Sequence, residues 1–141
     1  MKKYLIGLAA LLVVVTGCGN KGKELTCTLE EDDQKMVVEM NFGKDDVIDK
    51  MTMTMTMKFE QELTKEELAS IQPYIDSMCD SYPHEEVDCK INTDTKGAEI
   101  IVVYDIENMS EKAKEDLGYT DEEGKFDVMK KAIEEDGYTC K

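Results

Sequence analysis

The sequence contains no arginine and no tryptophan, and it has only one histidine and two prolines. Its 17 basic residues are therefore all lysines, and they stand against 32 aspartates and glutamates. Because a nucleic-acid-binding domain needs a basic surface for the phosphates, this composition excludes nucleic acid as a partner. The single histidine, His84, lies in the polar stretch YPHEEVD, which predicts a surface loop and neither a general base nor a metal ligand.

Motifs for catalysis are also missing. A hydrolase needs an activated nucleophile beside a base, and a nucleotide enzyme usually needs a glycine-rich phosphate loop. Acidic clusters stand at 30–33, 45–49 and 121–123, but none has the Asp-x-Asp-x-Asp-Gly spacing of a calcium loop. Solvated turns and helix starts account for such clusters. We expect no enzymatic activity and no cofactor.

The N-terminus has the pattern of an export signal. Lys2 and Lys3 precede an apolar run at 5–15, which is too short for a comfortable membrane span. The run ends in VTGC at 15–18, and this tetrapeptide resembles the lipobox of bacterial lipoproteins. The resemblance implies that a peptidase cuts before Cys18 and that its sulfur carries a diacylglycerol with acyl chains such as palmitate.

These features predict a signal peptide (1–17), a short tether (18–23) and one domain (24–141). Without Lys2 and Lys3, 15 of the 17 lysines remain against 32 acidic residues, a net charge of −17. An anionic membrane surface would repel such a domain, so the acyl chains must hold it at the bilayer. We therefore expect a lipid-anchored, extracytoplasmic protein at the cell membrane.

Four cysteines remain once Cys18 is assigned to the lipid, and an even number in an exported chain indicates two disulfides. Three pairings are possible. We favour Cys79 with Cys89, because they flank one short helix-to-strand connection, and Cys27 with Cys140, which would tie the first strand to the chain's end. No pair has C-x-x-C spacing, which disfavours a zinc site and a thioredoxin-like redox motif.

Alternating apolar and polar residues predict strands, and steps of three and four predict helices. Strands are expected at 24–30, 35–42, 47–60, 87–93 and 98–106, with a bend or bulge near Asp49 in the long third strand. Helices should begin at the caps Thr64 and Ser110 and again near 126, with a kink or restart at Pro73. The order β-β-β-α-β-β-α-α predicts an α+β fold: a mostly antiparallel five-stranded sheet with helices packed on one face.

The order of these elements resembles that of a known protein family. The cysteine at 18, the three-strand meander, the helix opening LTKEELASIQPYI, two further strands and a helical tail are similar to the YehR-like family of small bacterial lipoproteins of uncharacterised function. The resemblance covers roughly residues 24–141. It implies the fold and the surface location, and it carries over no catalytic residue.

The most unusual stretch is MTMTMTM at 51–57. Thioether sulfur suits Cu(I), and same-face neighbours on a strand lie about 6.5 to 7 Å apart, so Met51, Met53, Met55 and Met57 could form a copper site. However, the odd positions are apolar from Val47 to Phe59, whereas the even positions carry lysine and threonine. This parity favours the methionines as the core-facing side of a half-buried strand, without a bound metal.

Two hypotheses for the function follow. The first is a non-enzymatic binding or interaction module at the cell surface, whose partner is another envelope protein or an exported ligand. Its candidate interaction face is the uncharged ridge of Thr52, Thr54 and Thr56. The alternative is a copper-binding or copper-handling lipoprotein that uses the four methionines of the row.

Overall fold

The computed structural model describes residues 22–82 and 86–141, and their strands form one antiparallel sheet. The strands are β1 (Glu24–Glu31), β2 (Gln34–Phe42), β3 (Ile48–Lys58), β4 (Val87–Asp94), β5 (Gly97–Tyr104) and β6 (Thr139–Cys140). The helices are α1 (Lys65–Asp76), α2 (Glu111–Asp116), α3 (Phe126–Glu135) and a short 3-10 turn at Cys79–Ser81. The predicted signal peptide, Cys18 and His84 lie outside the described residues. None of the helices in the described ranges is long and apolar enough to cross a membrane.

The sheet has six strands in the order β4-β5-β3-β2-β1-β6, so the prediction of five strands is wrong by one. The additional strand, β6, is only two residues long and pairs antiparallel with Cys27 and Thr28 of β1. Backbone hydrogen bonds between Thr26 and Lys141, at 2.9 and 3.1 Å, extend the pairing by one residue. The sequence indicates an extended piece at 138–140, but two paired residues are too few to show the alternating pattern that identifies a strand of the sheet.

Strand β3 lies in the interior of the sheet and contains the predicted irregularity. Asn41 pairs with Lys50, but the next residue, Phe42, pairs with Ile48. Asp49 is therefore the extra residue of a β-bulge, as the length of the strand predicted. From Lys50 to Met57 the pairing with β2 continues without a further shift.

The predicted helix caps are confirmed. The Thr64 hydroxyl accepts the Glu67 backbone N–H at 3.3 Å, and the Glu67 carboxylate accepts the Thr64 backbone N–H at 2.8 Å, which completes a capping box. The Ser110 hydroxyl caps α2 in the same way, at the Ala113 N–H. Helix α1 runs through Pro73 to Asp76 without a restart.

Helices α2 and α3 and the segment after α1 pack on one face of the sheet, and they cover it in two places. The first hydrophobic cluster joins Phe126, Met129 and Ile133 of α3 to buried side chains of β1 and β2. The second cluster joins Ala113 of α2, with Met78 and Tyr82 from the segment after α1, to buried side chains of β4 and β5. Strand β3 lies between these two clusters and contributes to both.

Two pairs of cysteine sulfurs lie within disulfide-bonding distance, and they are the pairs that the sequence favoured. Cys27 and Cys140 have sulfurs 1.97 Å apart, and Cys27 is fully buried in the first cluster. Cys79 and Cys89 have sulfurs 1.96 Å apart and join the 3-10 turn to β4. The first disulfide therefore fixes β6 at the edge of the sheet, and the second ties the end of the α1 segment to the opposite edge.

Candidate functional site

The face of the sheet opposite the helices, here called the open face, is the first candidate. Its residues follow from the strand register, because successive side chains of a strand point to opposite faces. The uncharged centre of the open face consists of Thr28, Val37, Thr52, Thr54, Thr56, Ile101 and Val103. All seven side chains are half-buried, and none of the three aliphatic ones belongs to either hydrophobic cluster.

The predicted threonine ridge runs through the middle of this centre. Thr54 is paired with Val37 on one side and with Ile101 on the other. Thr52 is paired with Val103, so aliphatic and threonine side chains alternate across three strands. The result is a flat, mildly apolar surface that carries hydroxyl groups. Such a surface offers both apolar contact and hydrogen bonds to a partner.

Charge is distributed unevenly between the open face and the rest of the molecule. The open face carries ten charged side chains: Lys35, Lys50, Lys58, Lys90, Glu24, Glu30, Glu39, Asp88, Asp94 and Glu99. Their charges sum to −2, whereas the net charge of the chain is −15. Most of the negative charge therefore lies on the loops and helices. An approaching acidic molecule would be repelled least at the open face.

The methionine row lies on the helix-covered face, as its parity predicted. Met51 and Met53 pack against the first cluster, and Met53, Met55 and Met57 pack against the second. All four side chains are nevertheless only half-buried, whereas Met40 on the neighbouring strand is 1% exposed. The row therefore lines the seam between the two helical clusters, and it is less deeply covered than the core around it.

Strand β2 adds two methionines to the same face. Met36 pairs directly with Met55, and Met40 pairs with Met51. Met36, Met53 and Met55 line one small cleft of about 10 Å³, together with Tyr82. The Tyr138 hydroxyl donates a hydrogen bond to the sulfur of Met36 at 3.5 Å. The register therefore brings three thioethers from two strands around one space.

The acidic turns do not form a comparable site. In the described residues, no group of three or more histidine, cysteine, aspartate or glutamate side chains is arranged to hold a metal ion. The most notable feature near the 45–49 turn is Tyr119, whose hydroxyl is buried and has no hydrogen-bond partner among the described groups. Burial raises the pKa of Tyr119 to about 12, and the carboxylates of Asp121, Asp45 and Asp49 add to this shift. Tyr119 is therefore a neutral phenol over the whole physiological range.

The sequence did not identify the aliphatic part of the open face. Ile101 and Val103 belong to the run IIVV, which is apolar on both faces and so indicates an interior strand. Their position beside the threonines depends on the pairing of β3 with β5. Strand β5 lies about 40 residues further along the chain, and no local sequence pattern specifies that these two strands pair. The alternation in β2 puts Val37 on the face opposite Met36 and Val38, but its position beside Thr54 depends on the register of β2 with β3.

Comparisons with known proteins bear on the fold. No family model and no curated protein matches the sequence. Among solved structures, the chain is similar to the NMR structure of the Escherichia coli YehR protein, with a TM-score of 0.60 and 14% sequence identity, over 86% of this chain and 92% of that one. At this identity the similarity supports the fold and no residue-level function. The chain therefore has a YehR-like α+β fold.

Proposed function

We propose that this protein is a membrane-anchored extracytoplasmic lipoprotein whose domain is a non-enzymatic binding module at the cell surface. The anchor rests on the sequence VTGC at 15–18, which resembles a lipobox. Two cysteine pairs at disulfide distance are consistent with an exported protein, because disulfides persist in oxidising compartments. Catalysis has no part in the proposal, because the sequence offers no nucleophile paired with a base.

The lipid anchor is tested by metabolic labelling with a clickable fatty acid. The unmodified chain should incorporate the label and fractionate with membranes. The C18A variant should lose both properties. The C79A/C89A variant is the matched control, because it also removes cysteines but leaves the lipobox intact. Labelling of C18A equal to that of the unmodified chain would contradict the anchor.

One observation carries the binding proposal: the centre of the open face is uncharged and lies on a sheet face that neither hydrophobic cluster covers. The planar area of the sheet supports the same idea. Five strands spaced about 4.8 Å apart and 8 to 11 residues long present roughly 600 to 700 Å², close to the roughly 800 Å² per partner of a standard interface. The open face is therefore large enough to bind a protein.

The chemistry of the partner follows from the charge distribution. Because the open face is nearly neutral and mixes threonine with valine and isoleucine, the matching surface should be uncharged and mildly apolar at its centre. Charged side chains of both signs, contributed by five strands, surround this centre. We therefore expect polar contacts with the partner at the rim of the open face. We propose an envelope protein or an exported protein with such a surface as the partner.

Chemical crosslinking in intact membranes tests this proposal with a matched pair of substitutions. I101K places a charge in the uncharged centre, and V128K places the same charge on α3, where Val128 is 41% exposed. The unmodified chain and V128K should give the same crosslinked product, and I101K should lose it. Both variants should keep the unfolding midpoint of the unmodified chain. A domain that never crosslinks, or an I101K variant that crosslinks normally, would contradict the proposal.

A second candidate function is copper handling by the methionine row, on the other face of the sheet. The observation that favours it is the half-buried state of Met51, Met53, Met55 and Met57 in the seam between the helical clusters. A row that served only as core would be expected to be as deeply covered as Met40. Absence of Cu(I) binding by the unmodified chain would remove this candidate.

A further inference from the structure

We infer that Met36, Met53 and Met55 form a three-thioether site for a soft monovalent cation, Cu(I). The inference deepens the second candidate function and rests on it. It differs from the ligand set that the sequence suggests, because one ligand comes from β2 and two come from β3. Met51 and Met57, at the ends of the row, lie outside the cleft that these three residues line.

The strand register sets the spacing of the three ligands. Met36 and Met55 are directly opposite each other, so their Cβ atoms are about 4.5 to 5.5 Å apart. Met53 lies two residues from Met55 on the same face, about 6.5 to 7 Å along the strand, and diagonally from Met36 at about 7 to 8 Å. Thioether side chains have three rotatable bonds. Sulfurs carried at these three points can therefore converge above the sheet.

The cleft matches one small ion. Its volume of about 10 Å³ corresponds to a single water-sized sphere, which leaves no room for a hydrated divalent cation with its water shell. Its lining contains no charged side chain, and apart from the three methionines, Thr54 and Tyr82 it consists of valine and isoleucine. A soft cation that binds thioethers is therefore favoured over Ca²⁺ or Mg²⁺, which require oxygen ligands.

Tyr138 orients one of the three ligands. Its hydroxyl donates to the Met36 sulfur at 3.5 Å, and this hydrogen bond uses only one of the sulfur's two lone pairs. The other lone pair remains available to a metal. Because Met36, Met53 and Met55 are all half-buried, an ion can reach the cleft without unfolding of the domain.

A Cu(I) titration against a chromophoric chelator tests the site. The full-length chain is purified in detergent, and Cu(I) is supplied anaerobically in acetonitrile so that no thiol reductant attacks the disulfides. Met→Leu substitution removes one sulfur at nearly constant volume, so the fold should persist. M36L, M53L and M55L should each weaken Cu(I) binding by at least about tenfold. M129L is the matched control, because Met129 is also half-buried but packs in the first cluster, and its affinity should not change.

The outcomes separate the site from the function on which it rests. If the unmodified chain takes up no Cu(I), both the site and copper handling are refuted. If the unmodified chain binds Cu(I), and M36L binds equally well while M51L or M57L does not, the three-residue site is refuted but copper handling by the row survives. Equal loss of affinity in M129L and M36L would show that the effect is structural, which also overturns the assignment.

Discussion

Removal of the Cys27–Cys140 disulfide should destabilise the domain more than removal of the Cys79–Cys89 disulfide. The two pairs close loops with sequence separations of 113 and 10 residues. In the chain-entropy relation these separations correspond to about 5 and about 3 kcal/mol, so the expected difference is about 2 kcal/mol. Cys27 is fully buried, and truncation of a buried side chain leaves a cavity that increases the loss in the same direction.

The assay is equilibrium unfolding in guanidinium chloride, without reductant, of the unmodified protein and of the variants C27A/C140A and C79A/C89A. Free energies of unfolding are compared at similar m-values, because a change in slope would indicate a change in the unfolded state. The reasoning would be refuted if C79A/C89A lost as much free energy of unfolding as C27A/C140A, or more. That result would mean that local packing at the 3-10 turn outweighs closure of the long loop.

Three further predictions concern single residues. T64A should lower the free energy of unfolding by about 1 kcal/mol, measured by denaturant unfolding, because it removes half of the capping box. Y119F should not destabilise the domain, since it removes a buried hydroxyl without a partner. Because the folded pKa of Tyr119 is about 12 and the unfolded value is about 10, the unmodified protein should lose stability as the pH rises from 10 to 12, and Y119F should lose less. G97A should lower the free energy of unfolding more than G118A. A Cβ at Gly97 would lie 2.3 Å from a backbone oxygen of β3, whereas a Cβ at Gly118 would meet no atom within 4 Å and only the φ of +69° opposes the substitution.

Much of the fold could be predicted because its signals are local. The alternation from Lys50 to Lys58 identified the helix-covered side of β3, and the length of that strand indicated the bulge at Asp49. The bulge shifts the parity before it, so Ile48 and not Val47 lies in the first cluster. The capping residues Thr64 and Ser110 located two helix starts. These features depend on a few neighbouring residues, which is the range over which sequence patterns are informative.

The features that could not be predicted depend on contacts between distant parts of the chain. Strand β6 forms because the backbone next to Cys140 pairs with β1, and two residues carry no periodic signal. The neighbours of the threonine ridge, Ile101 and Val37, are set by the register of β3 with β5 and β2. The position of Met36 opposite Met55 is also a register effect. The sequence therefore indicated the threonines, the methionine row and two methionines on the neighbouring strand, but not which side chains lie opposite each other.

The central claim is that the open face binds a protein partner, and site-specific photo-crosslinking in living cells tests it most directly. A photoreactive residue is placed at Thr54, in the middle of the open face, and separately at Val128, which is exposed on the helical side. The account predicts a discrete crosslinked product from position 54 and none from position 128. Crosslinking from position 128 alone, or from neither position, would contradict it.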